Sequence, residues 1–296
     1  DRYVCATESQ MVANPFLRID ALADAERRAK LADVQRGELY IERLTTREAG
    51  KSIDVPDGLI HHWLGAVFVP DASLAQAVDL LQDYDRHAEI FRPAIARSRL
   101  VSREGDVFRV DLRFFMKKVI TVVVDTENEA RFERPEPDRA QSRIYSLRVA
   151  EVANPGTAQE RQQPVGHDGG FLWRLYTYWR FLERDGGVYV QCEAISLTRG
   201  IPFALGWLIG PFVNSIPRES LAFYPRDDAQ DTRNAPEDRS LIRLGSWEFG
   251  SWVLTPSGSL LGSFARILQG RLGGGRFEHE HGQCDSDPEC YRHHRS

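Results

Sequence analysis

Alternating hydrophobic and polar residues are the clearest pattern in the middle of this 296-residue chain. In 106–117, "DVFRVDLRFFMK", every second position from Phe108 to Met116 is apolar, and mostly charged residues stand between them. A period of two is typical of a strand with one buried face, whereas helix faces repeat every 3.6 residues. Three other stretches are strand-like: 95–105, 119–134 and 140–152. We therefore predict long strands in meander order that form a strongly curved antiparallel sheet.

A β-hairpin is predicted where the aromatic-rich stretch 171–200 turns back on itself. Asp185-Gly186 marks the turn, because Asp-Gly is the strongest signal for a type I′ turn, which needs positive φ at both central residues. Pairing across this turn sets three pairs opposite each other: Trp179 and Cys192, Thr177 and Ala194, Tyr178 and Glu193. One face then combines large rings with small partners, which suits either a packed core or a sheet curved around a hollow. The other face is charged, and we expect it to meet water.

Two helices are predicted from the spacing of apolar residues. The first, 20–37, has Asp20 as its N-cap and Gly37 just past its end, and its alanine-rich apolar positions indicate docking that is loose or limited to one edge. The second, 71–91, is amphipathic, and Pro93 ends it.

Composition divides the chain into three zones. They are an N-terminal helical and extended segment (1–60), a continuous domain of strands and helices (61–224), and a polar linker with a tail rich in Gly, Ser and His that is expected to be disordered (225–296). Hydrophobic residues at 42% and charged residues at 27% are ordinary for a soluble globular protein. The net charge of −5 gives no broad basic surface, so we expect no nucleic-acid partner.

The order of elements, a strand and a helix followed by six strands and a helix, resembles the helix-grip superfamily, also called SRPBCC or START-like. The stretch 81–110, "LQDYDRHAEIFRPAIARSRLVSREGDVFRV", resembles the passage from the helix to the second strand in polyketide-cyclase-like and coenzyme-Q-binding members. Three more stretches, 58–70, 171–199 and 216–221, are similar to an uncharacterised bacterial branch. The resemblance covers 61–224.

The resemblance implies an α+β fold, in which a curved antiparallel sheet of about seven strands wraps a C-terminal helix and leaves an internal cavity. The aromatic face of the hairpin is then expected to line this cavity. The C-terminal helix departs from the family pattern within 202–231, because Pro211, Pro217 and Pro225 interrupt it and a proline inside a helix costs about 3 kcal/mol. The cover of the cavity is therefore expected to be shorter or looser than in the family.

Two classes of function remain open, since this scaffold serves lipid carriers, receptors, cyclases and oxygenase domains. The favoured one is non-catalytic binding or transport of a hydrophobic small molecule, such as a lipid, an isoprenoid or a polyketide-like compound, without a cofactor. The alternative is a cyclase or dehydratase acting on a polyketide-like or aromatic substrate in the same cavity. The candidate ligand-binding residues are those on the face expected to point inward: Phe108, Val110, Leu112, Phe114, Trp173, Thr177, Trp179, Cys192 and Ala194.

The candidates for catalysis are Glu193, Arg180 and His87. Glu193 and Arg180 are diagonal neighbours on the hairpin and are expected to form a surface ion pair; with the faces reversed, they would be a buried acid and its orienting partner. His87, near the end of the second helix, is expected to act as a cation on the macrodipole, with a general base at the cavity mouth as the alternative. Two of the three converging in the cavity would favour the enzyme, and all three in solvent would favour the binder.

No metal site is predicted, although His and Cys residues are crowded into 279–294. A zinc site needs ligands held by a small fold, and the tail lacks the apolar residues to build one. His61 and His62 are adjacent in a strand, point to opposite faces and cannot bind one ion together, so structural roles are expected. The four cysteines define no disulfide framework.

The apolar run 201–213 is too short to span a bilayer and contains two prolines. A buried or surface-docked helix is expected there, with a transient membrane-surface contact or a protein-interaction surface as alternatives. The cytoplasm is the default expectation for the compartment, and export stays open because the chain starts at Asp1 without Met. The oligomeric state and the identity of the ligand do not follow from the sequence.

Overall fold

A computed structural model describes residues 1–117, 121–164, 166–199 and 268. The helices are α1 (Arg2–Ala13), α2 (Asp24–Gln35), α3 (Leu74–Gln82) and α4 (His87–Ile90), with 3-10 helices at Arg18–Ala21 and Tyr84–Arg86. The strands are β1 (Tyr40–Arg43), β2 (Arg47–Glu48), β3 (Lys51–Ser52), β4 (Gly58–Pro70), β5 (Ile95–Glu104), β6 (Val107–Lys117), β7 (Thr121–Glu136), β8 (Arg139–Ala153), β9 (Arg161–Gln162), β10 (Arg174–Arg184) and β11 (Gly187–Arg199).

One antiparallel sheet dominates this part of the chain, with the strand order β1-β4-β11-β10-β8-β7-β6-β5 and β9 added at β8. Seven of its strands have ten or more residues, and β5 to β8 follow one another as a meander. The predicted fold class, an α+β fold with a curved antiparallel sheet, is confirmed. The predicted C-terminal helix at 202–231 and the apolar run at 201–213 lie outside the described residues.

The predicted hairpin between β10 and β11 is confirmed in both its turn and its register. Asp185 and Gly186 have φ of 59° and 77°, as a type I′ turn requires. The strands then pair residue by residue as predicted: Trp179 with Cys192, Thr177 with Ala194 and Tyr178 with Glu193.

The predicted helix at 71–91 is broken into three parts. Ser73 caps α3, and its side chain and that of Gln76 form a reciprocal capping box. The helix ends at Gln82, and His87 lies at the start of α4 rather than at the end of a long helix. The break is stabilised by the His87 side chain, whose Nε2 donates to the carbonyl oxygen of Leu81 at 2.9 Å and so satisfies one of the last carbonyls of α3.

The N-terminal zone packs on the sheet through more elements than the sequence predicts. Helix α1 was not predicted, and α2 begins at Asp24, after an N-cap at Ala23. Asp20 lies in the preceding 3-10 helix and forms an ion pair with Arg184 instead of capping α2. Strand β1 extends the sheet at β4.

The two faces of the sheet meet different partners. We call the face that carries Val110, Trp179 and Cys192 the inner face; it packs against α3 and α4 in the main hydrophobic core. The opposite, outer face is covered by the N-terminal segment in two smaller clusters, one around Ile19 and the other around Tyr3. Leu268 is helical and 1% exposed, and it belongs to the core on the inner face.

Candidate ligand cavity

A cavity lies between the inner face of the sheet and the segment from α3 to α4. The unfilled space, including its opening to solvent, is about 620 Å³, of which about 50 Å³ is open to the centre of a water-sized sphere. One water molecule needs about 10–15 Å³ by the second measure, so the space as it stands holds a few water molecules, and a larger guest has to extend into the opening or widen the cavity. Its lining residues are Leu81, Tyr84, His87, Phe91, Ile95, Val110, Leu112, Phe114, Asn128, Ile144, Ser146, Leu175, Thr177, Trp179 and Cys192.

Most of the wall is apolar, and it is built by alternate residues of neighbouring strands. Strand β6 contributes Val110, Leu112 and Phe114, which follow the period of two seen in the sequence. Trp179 of β10 is 3% exposed and stacks on Phe181 of the same strand, with ring planes 9° apart. The wall is therefore a rigid aromatic and aliphatic surface that suits an apolar guest.

The candidate ligand-binding residues divide into two groups. Six line the cavity: Val110, Leu112, Phe114, Thr177, Trp179 and Cys192. Phe108 and Ala194 lie on the inner face within the core, beside the cavity rather than in its lining. Trp173 precedes β10, is half-buried, and donates from Nε1 to Asp168 at 3.3 Å.

A pair of polar side chains on the sheet wall satisfies its own hydrogen bonds. Asn128 donates from Nδ2 to Thr126 Oγ1 at 2.8 Å and to the carbonyl oxygen of Val110 at 3.2 Å. Its Oδ1 accepts from Ser146 Oγ at 2.8 Å. Because these bonds close within the protein, Asn128 and Ser146 fix the wall and leave little hydrogen-bonding capacity for a ligand.

Tyr84 and His87 form a second polar group, on the helical side of the cavity. Their rings are 4.7 Å apart between centroids, and their side chains are 2% and 3% exposed. Burial lowers the pKa of His87 to about 4, so its ring is neutral near pH 7, and burial raises the pKa of Tyr84. The expectation that His87 acts as a cation on a helix macrodipole is therefore wrong, because desolvation disfavours the charged ring.

Cys192 contributes a thiol to the sheet wall at a position that is fully buried. Burial raises the pKa of this thiol, with a smaller contribution from Glu193, so the group is protonated near pH 7. It behaves in the wall as a small apolar side chain.

Glu193 and Arg180 lie outside the cavity, on the outer face. Glu193 is 6% exposed and accepts from His62 Nε2 at 2.6 Å, whereas Arg180 donates to the carbonyl oxygens of Phe16 and Met11 at 2.8 and 3.2 Å. The expected surface ion pair between them is not found among the described residues. The inward and outward assignment of the strands was correct, but the expectation that the outer face meets water was wrong, because the N-terminal segment covers it.

The two histidines of β4, His61 and His62, form hydrogen bonds within the fold. His61 pairs with Thr198 through Nε2 at 3.0 Å, and His62 joins Glu193 and Tyr3 on the other face, as expected for neighbours in a strand. Within the described ranges no cluster of three metal-ligating side chains is present, and the tail at 279–294 lies outside them. A search of those same ranges finds no helix that is long and apolar enough to cross a membrane.

Reasoning from sequence missed several residues of the lining, among them Tyr84, Asn128 and Ser146. Asn128 and Ser146 do occupy alternate positions in strand-like runs, and that period could have placed them with Ala130 and Ile144 on the inner face. Tyr84 follows Leu81 at helical spacing in the sequence, and that spacing could have placed it beside Leu81, which also lines the cavity.

No protein-family profile and no curated protein matches the chain. Among solved structures, it is similar to a STAR-related lipid transfer protein from Xanthomonas axonopodis, with 16% identity and a TM-score of 0.35 over 54% of this chain and 88% of that one. Human STARD10 gives 10% identity and a TM-score of 0.35, covering 64% of this chain and 76% of that one. The Zhui aromatase/cyclase from Streptomyces sp. R1128 gives 12% identity and a TM-score of 0.30, covering 50% of this chain and 73% of that one. Lipid-transfer and aromatase/cyclase proteins are thus both among the similar structures, and we base the function on the cavity itself.

Proposed function

We propose that this protein binds a hydrophobic small molecule in the cavity between the inner face of the sheet and α3–α4, and that it carries the molecule without transforming it. The observation on which this depends is the lining, in which ten of the fifteen side chains are apolar, counting Cys192, and the polar side chains Asn128 and Ser146 are hydrogen-bonded within the protein. Small-molecule sites typically combine such an apolar wall with a small number of polar groups that fix orientation. A lipid, an isoprenoid or a polyketide-like compound has the required chemistry.

The placement of the three catalytic candidates supports a binder over an enzyme. Of Glu193, Arg180 and His87, His87 alone lines the cavity, so two of them do not converge there. With a pKa lowered to about 4, His87 is a weak base near pH 7, and Tyr84 beside it is a weak acid because burial raises its pKa. A cyclase or dehydratase would require an acid and a base whose pKa values lie near the working pH.

The proposal is tested by measuring the binding of naphthalene, an apolar probe of two rings, by isothermal titration calorimetry. The purified protein is first examined by native mass spectrometry, because a molecule that co-purifies would both occupy the cavity and reveal its own class. After denaturing release of any such molecule and refolding, we expect one naphthalene per chain, bound in a cavity that widens from its present volume. We also expect a negative heat-capacity change from the burial of apolar surface.

Two variants locate the binding. Trp179→Leu removes a ring that lines the cavity, and Phe181→Leu removes its stacking neighbour on the same strand, which does not line the cavity. Both variants lose core packing, but only Trp179→Leu is expected to weaken naphthalene binding, by about tenfold for a lost aromatic contact. Equal affinity in both variants, or no binding to the wild type, would refute the proposed function.

A further inference from the structure

The hydroxyl group of Tyr84 is buried without a hydrogen-bond partner among the described residues. A few other buried side-chain atoms in that part of the chain also lack a partner, but Tyr84 alone among their residues lines the cavity. A buried hydroxyl that is not hydrogen-bonded costs about 1–3 kcal/mol. Such a group needs an explanation, and a ligand that supplies the missing bond provides one.

His87 offers a second polar group on the same side of the cavity, with its ring centroid 4.7 Å from that of Tyr84. Its Nε2 bonds to the carbonyl oxygen of Leu81, and because a carbonyl oxygen only accepts, Nε2 carries the ring proton. The ring is neutral near pH 7, since burial lowers its pKa to about 4. Nδ1 therefore keeps its lone pair and is an acceptor.

The chemistry of the ligand follows from this pair. Tyr84 supplies an O–H donor that also accepts, and the adjacent His87 supplies an acceptor, with their ring centroids 4.7 Å apart. An alcohol or a phenol complements both, because its oxygen accepts from Tyr84 while its hydrogen is donated to Nδ1. A carboxylate does not, because the described lining contains no Lys or Arg, and burying an unpaired charge costs several kcal/mol.

We propose that Tyr84 and His87 form a hydroxyl-recognition subsite in the cavity, so that the ligand is an uncharged apolar molecule bearing a hydroxyl group. This inference rests on the proposed function and specifies its ligand. The apolar wall around Trp179 holds the hydrocarbon part, and the subsite fixes the end that carries the hydroxyl.

The test compares matched ligands by calorimetry near pH 7: naphthalene, 1-naphthol, 1-methoxynaphthalene and 1-naphthoate. In the wild type, 1-naphthol is expected to bind about tenfold more tightly than naphthalene, the value of one net hydrogen bond. 1-Methoxynaphthalene, which cannot donate, and 1-naphthoate, which is charged, are both expected to bind more weakly than 1-naphthol.

Tyr84→Phe removes only the hydroxyl. We expect this variant to lose the preference for 1-naphthol over naphthalene, and circular dichroism checks that it keeps its fold. Tyr176→Phe is the matched control, because Tyr176 is half-buried and packs with the Tyr3 cluster on the outer face, and this variant is expected to keep the preference.

Each contrary result has a distinct meaning. If the wild type binds naphthalene and 1-naphthol equally, or if Tyr84→Phe keeps the preference, the subsite is refuted while the proposed function stands. Equal binding of 1-naphthoate and 1-naphthol also refutes the subsite. If Tyr84→Phe does not fold, the comparison of 1-naphthol with 1-methoxynaphthalene in the wild type decides the question. Failure to bind any of the four ligands overturns both the subsite and the proposed function.

Discussion

His62 Nε2 lies 2.6 Å from Glu193 Oε1 on the outer face of the sheet, and both side chains are buried. The other ring nitrogen of His62 is 2.9 Å from the hydroxyl of Tyr3, and that hydroxyl accepts from the backbone N–H of Thr46 at 2.8 Å. A buried chain of hydrogen bonds therefore joins β11 and β4 to α1 and to the segment after β1. Because the sheet lies between this chain of hydrogen bonds and the cavity, we infer that the chain stabilises the fold and does not contact the ligand.

Glu193→Gln is accordingly expected to lower the free energy of unfolding by about 1–3 kcal/mol, because a charge-assisted buried hydrogen bond becomes a neutral one. Urea unfolding followed by circular dichroism measures this change. The control is Glu104→Gln, at an exposed position, with an expected change within about 0.5 kcal/mol. Naphthalene affinity should be unchanged in both variants. A loss of affinity with normal stability would instead place Glu193 in the functional site.

The free energy of unfolding is expected to decrease as the pH falls, over a range set by two buried histidines, His61 and His87. The pKa of His87 is about 4 in the folded protein, and so is that of His61, also mainly through burial, against 6.5 in a model peptide. Between these values the unfolded chain binds protons that the folded protein does not, so the stability present above pH ~6.5 is lost progressively as the pH falls toward ~4.

The variant His87→Gln isolates one of these contributions. When the pH falls from ~7 to ~5, one such histidine lowers the free energy of unfolding by about 2 kcal/mol. The wild type should therefore lose about 2 kcal/mol more stability than His87→Gln over this interval. His167→Gln is the control, because it makes the same replacement at an exposed position. Parallel pH profiles for the wild type and His87→Gln, measured by urea unfolding, would contradict the pKa given for His87.

The strands and the hairpin were predictable because their signals are local. The period of two in β6 identifies which residues share a face, and Asp185-Gly186 fixes the register of β10 and β11 without reference to any other element. These two signals placed six of the lining residues, including Trp179, on one face, and the resemblance to the helix-grip superfamily was needed to predict that this face lines a cavity.

What the sequence did not reveal depends on contacts between distant parts of the chain. Glu193 and Arg180 look like residues of a solvated face, and only the packing of residues 1–35 across that face buries them. The His87 ring lies beside Tyr84 and bonds through Nε2 to the carbonyl oxygen of Leu81, and no short-range pattern indicates that bond. The polar end of the candidate site therefore required the structure.

Two adjacent glycines, Gly186 in the turn between β10 and β11 and Gly187 at the start of β11, have different requirements. Gly186 has φ of +77° and open space where a Cβ would lie, so Gly186→Ala costs only the left-handed backbone conformation, about 1 kcal/mol. At Gly187 a Cβ would collide with the carbonyl oxygen of Val69 in β4, so Gly187→Ala must displace a strand and is expected to cost about 3 kcal/mol or more. Urea unfolding of the two variants measures both costs, and equal losses would contradict the pairing of β11 with β4 at this end.

The two cysteines in the described part of the chain are expected to differ in their reactivity toward iodoacetamide at about pH 8. Cys5 is exposed, whereas Cys192 is fully buried in the cavity wall with a raised pKa. Each unit by which the pKa is raised lowers the thiolate fraction about tenfold, so Cys192 should react more than about tenfold slower than Cys5. Peptide mass spectrometry resolves the two sites, and unfolding in urea should bring the two rates together.

Naphthalene should slow the reaction of Cys192 further and leave that of Cys5 unchanged, because Cys192 alone of the two lines the cavity. If Cys192 reacted as fast as Cys5 in the folded protein, its thiol would be hydrated and the apolar wall around Trp179 would be open to water.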